Sequence, residues 1–249
     1  MTKKQKKLVA ILAILSVSLS FTPVANAMHI MEGYLSPQFS IGWGVLCIPF
    51  LVAGFLAIKK NLKENRKNIT LLAMAGAFIF VISSLKIPSV TGSCSHMTGT
   101  GLGAILFGPA TVSILGIIVL LFQAILLAHG GLTTLGANTF SMAIAGPFLS
   151  YAIYIICKKS KVNRKVAIFL AAFLGDIFTY CVTSFQLAIA YPASEGGVMV
   201  SLEKFLSVFA PTQLPLAILE GILTVLIVIA LETYAQPELK TLRTFKEVK

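Results

Sequence analysis

Six apolar runs, at 41–58, 70–87, 101–128, 134–157, 166–190 and 213–233, constrain this chain more than any other feature. A helix needs about 20 apolar residues to cross the hydrocarbon layer of a bilayer, and these runs are near that length. Hydrophobic residues make up 57% of the sequence and charged residues 12%, too few polar groups to clothe a soluble domain of this size. The expected class is an all-α polytopic membrane protein with about seven transmembrane segments.

The formal charge of +11 is not spread as a nucleic-acid-binding face would be. It falls between the apolar runs, in clusters at Lys59, Lys60, Lys63, Arg66 and Lys67, at Lys158, Lys159, Lys161, Arg164 and Lys165, and at Lys240, Arg243, Lys246 and Lys249. The positive-inside rule places all three clusters in the cytoplasm. A further cluster, Lys3, Lys4, Lys6 and Lys7, precedes a short apolar stretch from Leu8 to Phe21 and then Ala25-Asn26-Ala27. Basic, apolar and small-x-small in that order is the pattern of a secretory signal peptide. Two readings follow. Cleavage after Ala27 exposes the α-amine of Met28 outside, whereas retention as a first helix buries that nitrogen in a peptide bond. The expected organisation is a cleaved signal peptide at 1–27, a membrane-embedded domain at 28–235 and a cytoplasmic tail at 236–249.

Parity constrains the path. With Met28 outside, 41–58 runs inward and 70–87 outward, so the 88–100 loop is outside. The cluster at 158–165 must be inside, which needs an odd number of crossings where hydropathy offers two segments. The simplest repair is that 101–128 turns back on itself at Gly108-Pro109, since proline and glycine break a helix. His129 is then outside as well. The alternative is one long tilted helix and one basic cluster that breaks the rule.

Few residues can do chemistry. Cys47, Cys157 and Cys181 fall in or beside apolar helices, where a buried free thiol is the ordinary reading, and only Cys94 lies in a polar loop. The histidines are His29, His96 and His129, all near segment ends or in loops on one side. A histidine in second place of a mature chain offers three nitrogens to one ion: the Met28 α-amine, its own deprotonated amide and its imidazole. Fused chelate rings of this kind favour planar nitrogen coordination, the preference of Ni(II) and Cu(II). His96 is the candidate for the fourth ligand. Ligand deprotonation makes such binding stronger as pH rises.

The loop from Ser89 to Gly103 is rich in Gly, Ser and Thr, and its hydroxyls can orient a histidine, although the same composition makes a plain external turn. Glu32 and Ser95 are candidate supports of the ligands, with His129. Asp176 and Glu220 lie inside apolar runs, where an acid is expensive; each either lines a metal path, supports the site or makes an interhelical hydrogen bond. No phosphate-binding loop and no H-E-x-x-H helix occurs, so the chain does not drive transport with ATP hydrolysis of its own. Two small-xxx-small pairs, Ala53/Ala57 and Ala73/Ala77, permit close helix approach.

Several of these segments resemble one family. Met28-His-Ile-Met-Glu-Gly-Tyr-Leu-Ser-Pro37, Gly92-Ser-Cys-Ser-His-Met-Thr-Gly-Thr-Gly-Leu-Gly103, Phe107-Gly-Pro109 and His129-Gly-Gly-Leu-Thr-Thr-Leu-Gly-Ala-Asn-Thr139 are similar to the signatures of CbiM, the substrate-capture component of cobalt energy-coupling factor (ECF) transporters. The likeness spans essentially all of 28–235. It implies an ECF S-component-like fold, and Met28, His29 and His96 as metal ligands. It implies cobalt as substrate rather than the nickel of related proteins, whose signatures differ at the residues corresponding to Met31 and Glu32. It also implies a plasma-membrane importer supplying cobalamin synthesis, with a CbiO-like ATPase, a CbiQ-like coupling protein and a small CbiN-like membrane subunit. Ala53/Ala57 is where the coupling protein is expected. Met97 stands where proline is common in the family. Two readings from other classes remain beside it: a membrane metalloenzyme, which needs an open coordination position, and a gradient-driven transporter with Asp176 as proton relay.

Overall fold

The computed structural model describes residues 29–66, 68–88, 94–239 and 242. The expected signal peptide, Met28, residues 89–93 of the Gly/Ser-rich loop and most of the tail lie outside these residues.

The described chain is a bundle of α1 (Pro37–Glu64), α2 (Asn68–Ser84), α3 (Thr100–Phe107), α4 (Pro109–Leu127), α5 (Leu135–Lys159), α6 (Arg164–Ala190) and α7 (Gly197–Tyr234), closed by a short α8 (Gln236–Leu239). Between α2 and α3 the chain makes one antiparallel pair of two-residue strands, β1 (Ile87–Pro88) and β2 (Cys94–Ser95), in which Ile87 faces Ser95. α1, α4, α5, α6 and α7 are long and apolar enough to cross a membrane, and α2 is apolar but only 17 residues long.

The distribution of side chains is that of a protein in hydrocarbon. Ile41, Val45, Val52 and Phe55 of α1 are exposed, while Gln123, Gln186, Gln213 and Glu220 are fully buried. Lipid gives apolar side chains no reason to turn inward, so close packing of small residues and internal polar bonds hold the helices together. Ala104, Ala143, Ala171 and Ala172 have no exposed surface, and Gly116 of α4 lies against Ala143 and Gly101 of α3 against Ala172.

The run 101–128 is interrupted at Gly108, whose φ of +84° suits glycine. Pro109 then opens α4, where its missing N–H leaves nothing unpaired. A side chain on Gly103 would stand 3.0 Å from Val112, nine positions on. In a straight helix that separation is about 13.5 Å, so the chain folds back. α3 is buried from Thr100 to Leu106.

α6 and α7 form an antiparallel hairpin. The Tyr180 hydroxyl donates to the Leu206 carbonyl, Gln213 donates to Asp176 at 2.6 Å, and Arg164 pairs with Glu232 at 2.5 Å. α7 begins at Gly197, well before the expected 213. Glu203 and Lys204 dilute the hydropathy there, and Pro211 and Pro215 lie inside the helix without ending it. In α5, residues Thr139–Ala145 form a π-helical stretch. Such wide turns are rare and often mark functional sites.

Candidate metal centre

The site is assembled from three loops at one end of the bundle. That end carries the starts of α1, α5 and α7 and the ends of α2, α4 and α6. The basic residues Lys59, Lys60, Lys63, Lys158, Lys159 and Lys165 lie at the other end, in or beside the last turns of α1 and α5 and the first turn of α6.

The segment after His29 is strapped to α5 and the loop before it. The amide of Asn138 both accepts from Ile30 N–H (2.8 Å) and donates to Ile30 C=O (3.0 Å), much as a neighbouring strand would. Thr134 donates to the same carbonyl at 2.6 Å. Glu32 does not turn to His29; its carboxylate accepts from the backbone N–H groups of Leu132 (2.5 Å) and Thr133 (3.2 Å). The Thr133 hydroxyl first, and then these backbone N–H groups, hold its carboxyl below its ordinary value. The approach is so close that any side chain on Gly131 would stand 2.5 Å from Glu32 Cα.

The His96 loop is held by the interior of the α6/α7 hairpin. Gln213 bridges the His96 carbonyl (3.1 Å) and Asp176 (2.6 Å). Glu220 accepts from the Thr98 N–H at 2.5 Å and from its hydroxyl at 2.9 Å. Ser95 bonds to the Thr212 hydroxyl at 2.8 Å. Gln213 thus links Asp176 to the loop, and Ser95 faces α7 rather than the imidazoles. The backbone at Cys94 belongs to β2.

His129 follows α4, and its own N–H donates to Gln123 C=O at 3.1 Å. The fold brings its ring against the other two. One nitrogen from each of His29, His96 and His129 lies within 4.8 Å of the others. The rings of His29 and His96 stack at 4.4 Å, 13° from parallel, and His129 stands across both at 89° and 90°. Among the described residues this is the one group of His, Cys, Asp and Glu with such spacing.

All three imidazoles are buried. Burial, and then its histidine neighbours, hold His29 well below the usual 6.5. Burial lowers His96 to about 4 despite the Met97 carbonyl, and burial followed by His96 lowers His129 to about 2. Near neutral pH all three are uncharged and able to bind a cation. His96 Nδ1 lies 2.9 Å from the Met97 carbonyl, which only accepts, so the ring proton sits there. Nε2 of His96 then carries a lone pair, is buried and has no hydrogen-bond partner.

Sequence reasoning placed His129 as a support and did not single out Met142, Asn138 or Gln213. Met142 Sδ lies 3.2 Å from His29 Nε2. The polar amides in apolar runs were a usable signal for Asn138 and Gln213. Met142 reads as one more apolar residue.

A family model described as "Cobalt uptake substrate-specific transmembrane region", CbiM, matches residues 29–239. The cobalt transport protein CbiM of Lachnoclostridium phytofermentans is 71% identical over 242 residues, 97% of either chain. That of Ruminiclostridium cellulolyticum is 57% identical over 235 residues, 94% of this chain and 95% of the other. A crystal structure of a truncated transition metal transporter is similar over 83% of this chain and 99% of that one, with a TM-score of 0.68 and 29% identity. A second transition metal transporter matches with a TM-score of 0.68 at 30% identity, over 82% of this chain and 92% of that one.

Proposed function

The chain belongs to the CbiM family, and from that premise we propose that it is the substrate-capturing, non-enzymatic membrane component of an ATP-driven cobalt importer. The observation that carries this reading is the convergence of three buried imidazoles, His29, His96 and His129, within the matched region. In this reading removal of residues 1–27 creates a ligand, the α-amine of Met28. The ion, Co(II), binds that amine, the amide and Nδ1 of His29, and Nε2 of His96. The bare, buried His96 Nε2 supports its share of the set. The mature N-terminus and the site face outward, and the opposite end, with its lysines, faces the cytoplasm.

ATP hydrolysis belongs to a CbiO-like partner, with CbiQ-like and CbiN-like membrane subunits completing the machine, and the cobalt serves cobalamin synthesis. Ala53 and Ala73 are exposed, which supports α1 and α2 as faces free to meet such subunits. Nickel is the alternative cargo, because planar nitrogen ligands suit Ni(II) at least as well.

The test is N-terminal sequencing of the purified protein together with metal analysis, repeated on a variant with one residue inserted between Ala27 and Met28. A Met28 terminus and loss of high-affinity binding on insertion are expected. Binding that survives the insertion removes the N-terminus from the site.

A further inference from the structure

Three contacts fix which nitrogen of each ring carries its proton. A thioether has no hydrogen to give, so in the 3.2 Å contact with Met142 Sδ the donor is His29 Nε2. A neutral imidazole has one N–H, which leaves Nδ1 of His29 as an acceptor. The 2.9 Å contact between that atom and His129 Nε2 then makes His129 the donor. Nδ1 of His129 is left bare and has no hydrogen-bond partner. His29 Nδ1 is also the atom that closes a six-membered chelate ring with the His29 amide nitrogen. The lone pair an ion needs is therefore already taken by an N–H of the protein.

We propose that His129 is a latch: it caps the ligand lone pair of His29 in the metal-free protein, so a divalent transition metal ion enters by displacing the His129 N–H and leaves as that N–H returns. This rests on the reading of His29 as a ligand. Met142 is the positioning residue, since it sets the tautomer that makes Nδ1 the capped atom. The latch is built to move by side chain alone. Its backbone is pinned by the bond to Gln123, and its ring meets His29 edge-on at 89°. With no exposed surface, a displaced His129 finds no water to satisfy it. A buried donor left unpaired weakens binding by a factor of about ten to a hundred. An importer gains from that, because its site must empty as well as fill.

The experiment titrates Co(II), and separately Ni(II), into the purified full-length mature protein and two variants, with a competing chelator. His129→Leu removes the donor, and is expected to bind at least about tenfold more tightly than the wild type. His129→Gln keeps an N–H near the place of Nε2, and is expected to bind more weakly than His129→Leu. Equal or weaker binding by His129→Leu overturns the latch, and a large loss would make His129 a ligand. If the wild type bound neither ion, the reading of the site would fall, and the latch with it. Nitrogen-15 NMR of the metal-free wild type gives a check without a variant. His29 should carry its proton on Nε2 and lose the His129 contact when Ni(II) is added; a proton on His29 Nδ1 overturns the proposal.

Discussion

Glu220, in the interior of α7, accepts both the backbone N–H and the hydroxyl of Thr98, at 2.5 and 2.9 Å. Two residues from His96, a carboxylate buried among apolar helices therefore grips the loop that presents the imidazole. Leaving one partner of such a buried contact unsatisfied costs about 1–3 kcal/mol. Glu220→Gln should keep the shape and weaken the grip, lowering metal affinity about tenfold. Thr98→Val should do the same, and the double variant should lose less than the sum of the two. Additive losses in a chelator-competition titration would mean that the contact is not the cause.

Asn138 takes the place of a strand partner for Ile30. Asn138→Leu removes both bonds and leaves the buried Ile30 N–H unpaired, while Thr134 still donates to the carbonyl, at a cost of about 1–3 kcal/mol. The N-terminal segment should become accessible to an amine-reactive label in the metal-free protein, while the helical circular dichroism is unchanged. Labelling at the wild-type rate would show that other contacts suffice.

His96→Ala takes away the bare Nε2. Metal binding should weaken about 100-fold or more. The loop should keep its place without metal, because the His96 carbonyl and Thr98 are still held, although the metal-free protein loses the buried ring's stacking on His29 and its bond to Met97 and should melt somewhat lower. An unaltered metal affinity would exclude this imidazole as a ligand.

Acid should destabilise the metal-free protein. Each imidazole takes a proton less readily when folded than at its ordinary 6.5, so below that pH the unfolded chain binds more protons. Stability is full above 6.5 and falls as pH drops below it, continuing for His96 down to about 4. Thermal melts between about pH 7.5 and pH 5 should show a falling midpoint, with a shallower fall in His129→Leu. A flat profile would mean that the imidazoles are wetter than the structure makes them.

The helices were legible because hydrocarbon demands long apolar runs, and the break at Gly108-Pro109 because those two residues have few other uses inside one. The start of α7 was hidden, since Glu203 and two prolines look like a loop and only packing against α6 makes them helix. His29 and His96 stood out by residue type. Their meeting with His129 is a tertiary fact, 100 residues of chain apart for His29 and His129. Met142 carried no signal, because its role depends on the π-helical stretch that holds it and on the ring it faces. Glu32 was near enough in sequence to suggest His29, yet two backbone N–H groups of the facing loop offered it better partners.

The buried α3 carries a consequence for biogenesis. Its eight residues reach about 12 Å, less than half of the hydrocarbon thickness, so an insertion channel that admits one spanning helix at a time cannot seat it. Gly101 lies against Ala172 of α6, and Gly103 against Ile79 of α2 and Val112 of α4. The slot that receives α3 is therefore incomplete until α6, synthesised some sixty residues later, has entered the bilayer. The loop that bears His96 is joined directly to α3, and it takes its final place only after that late step.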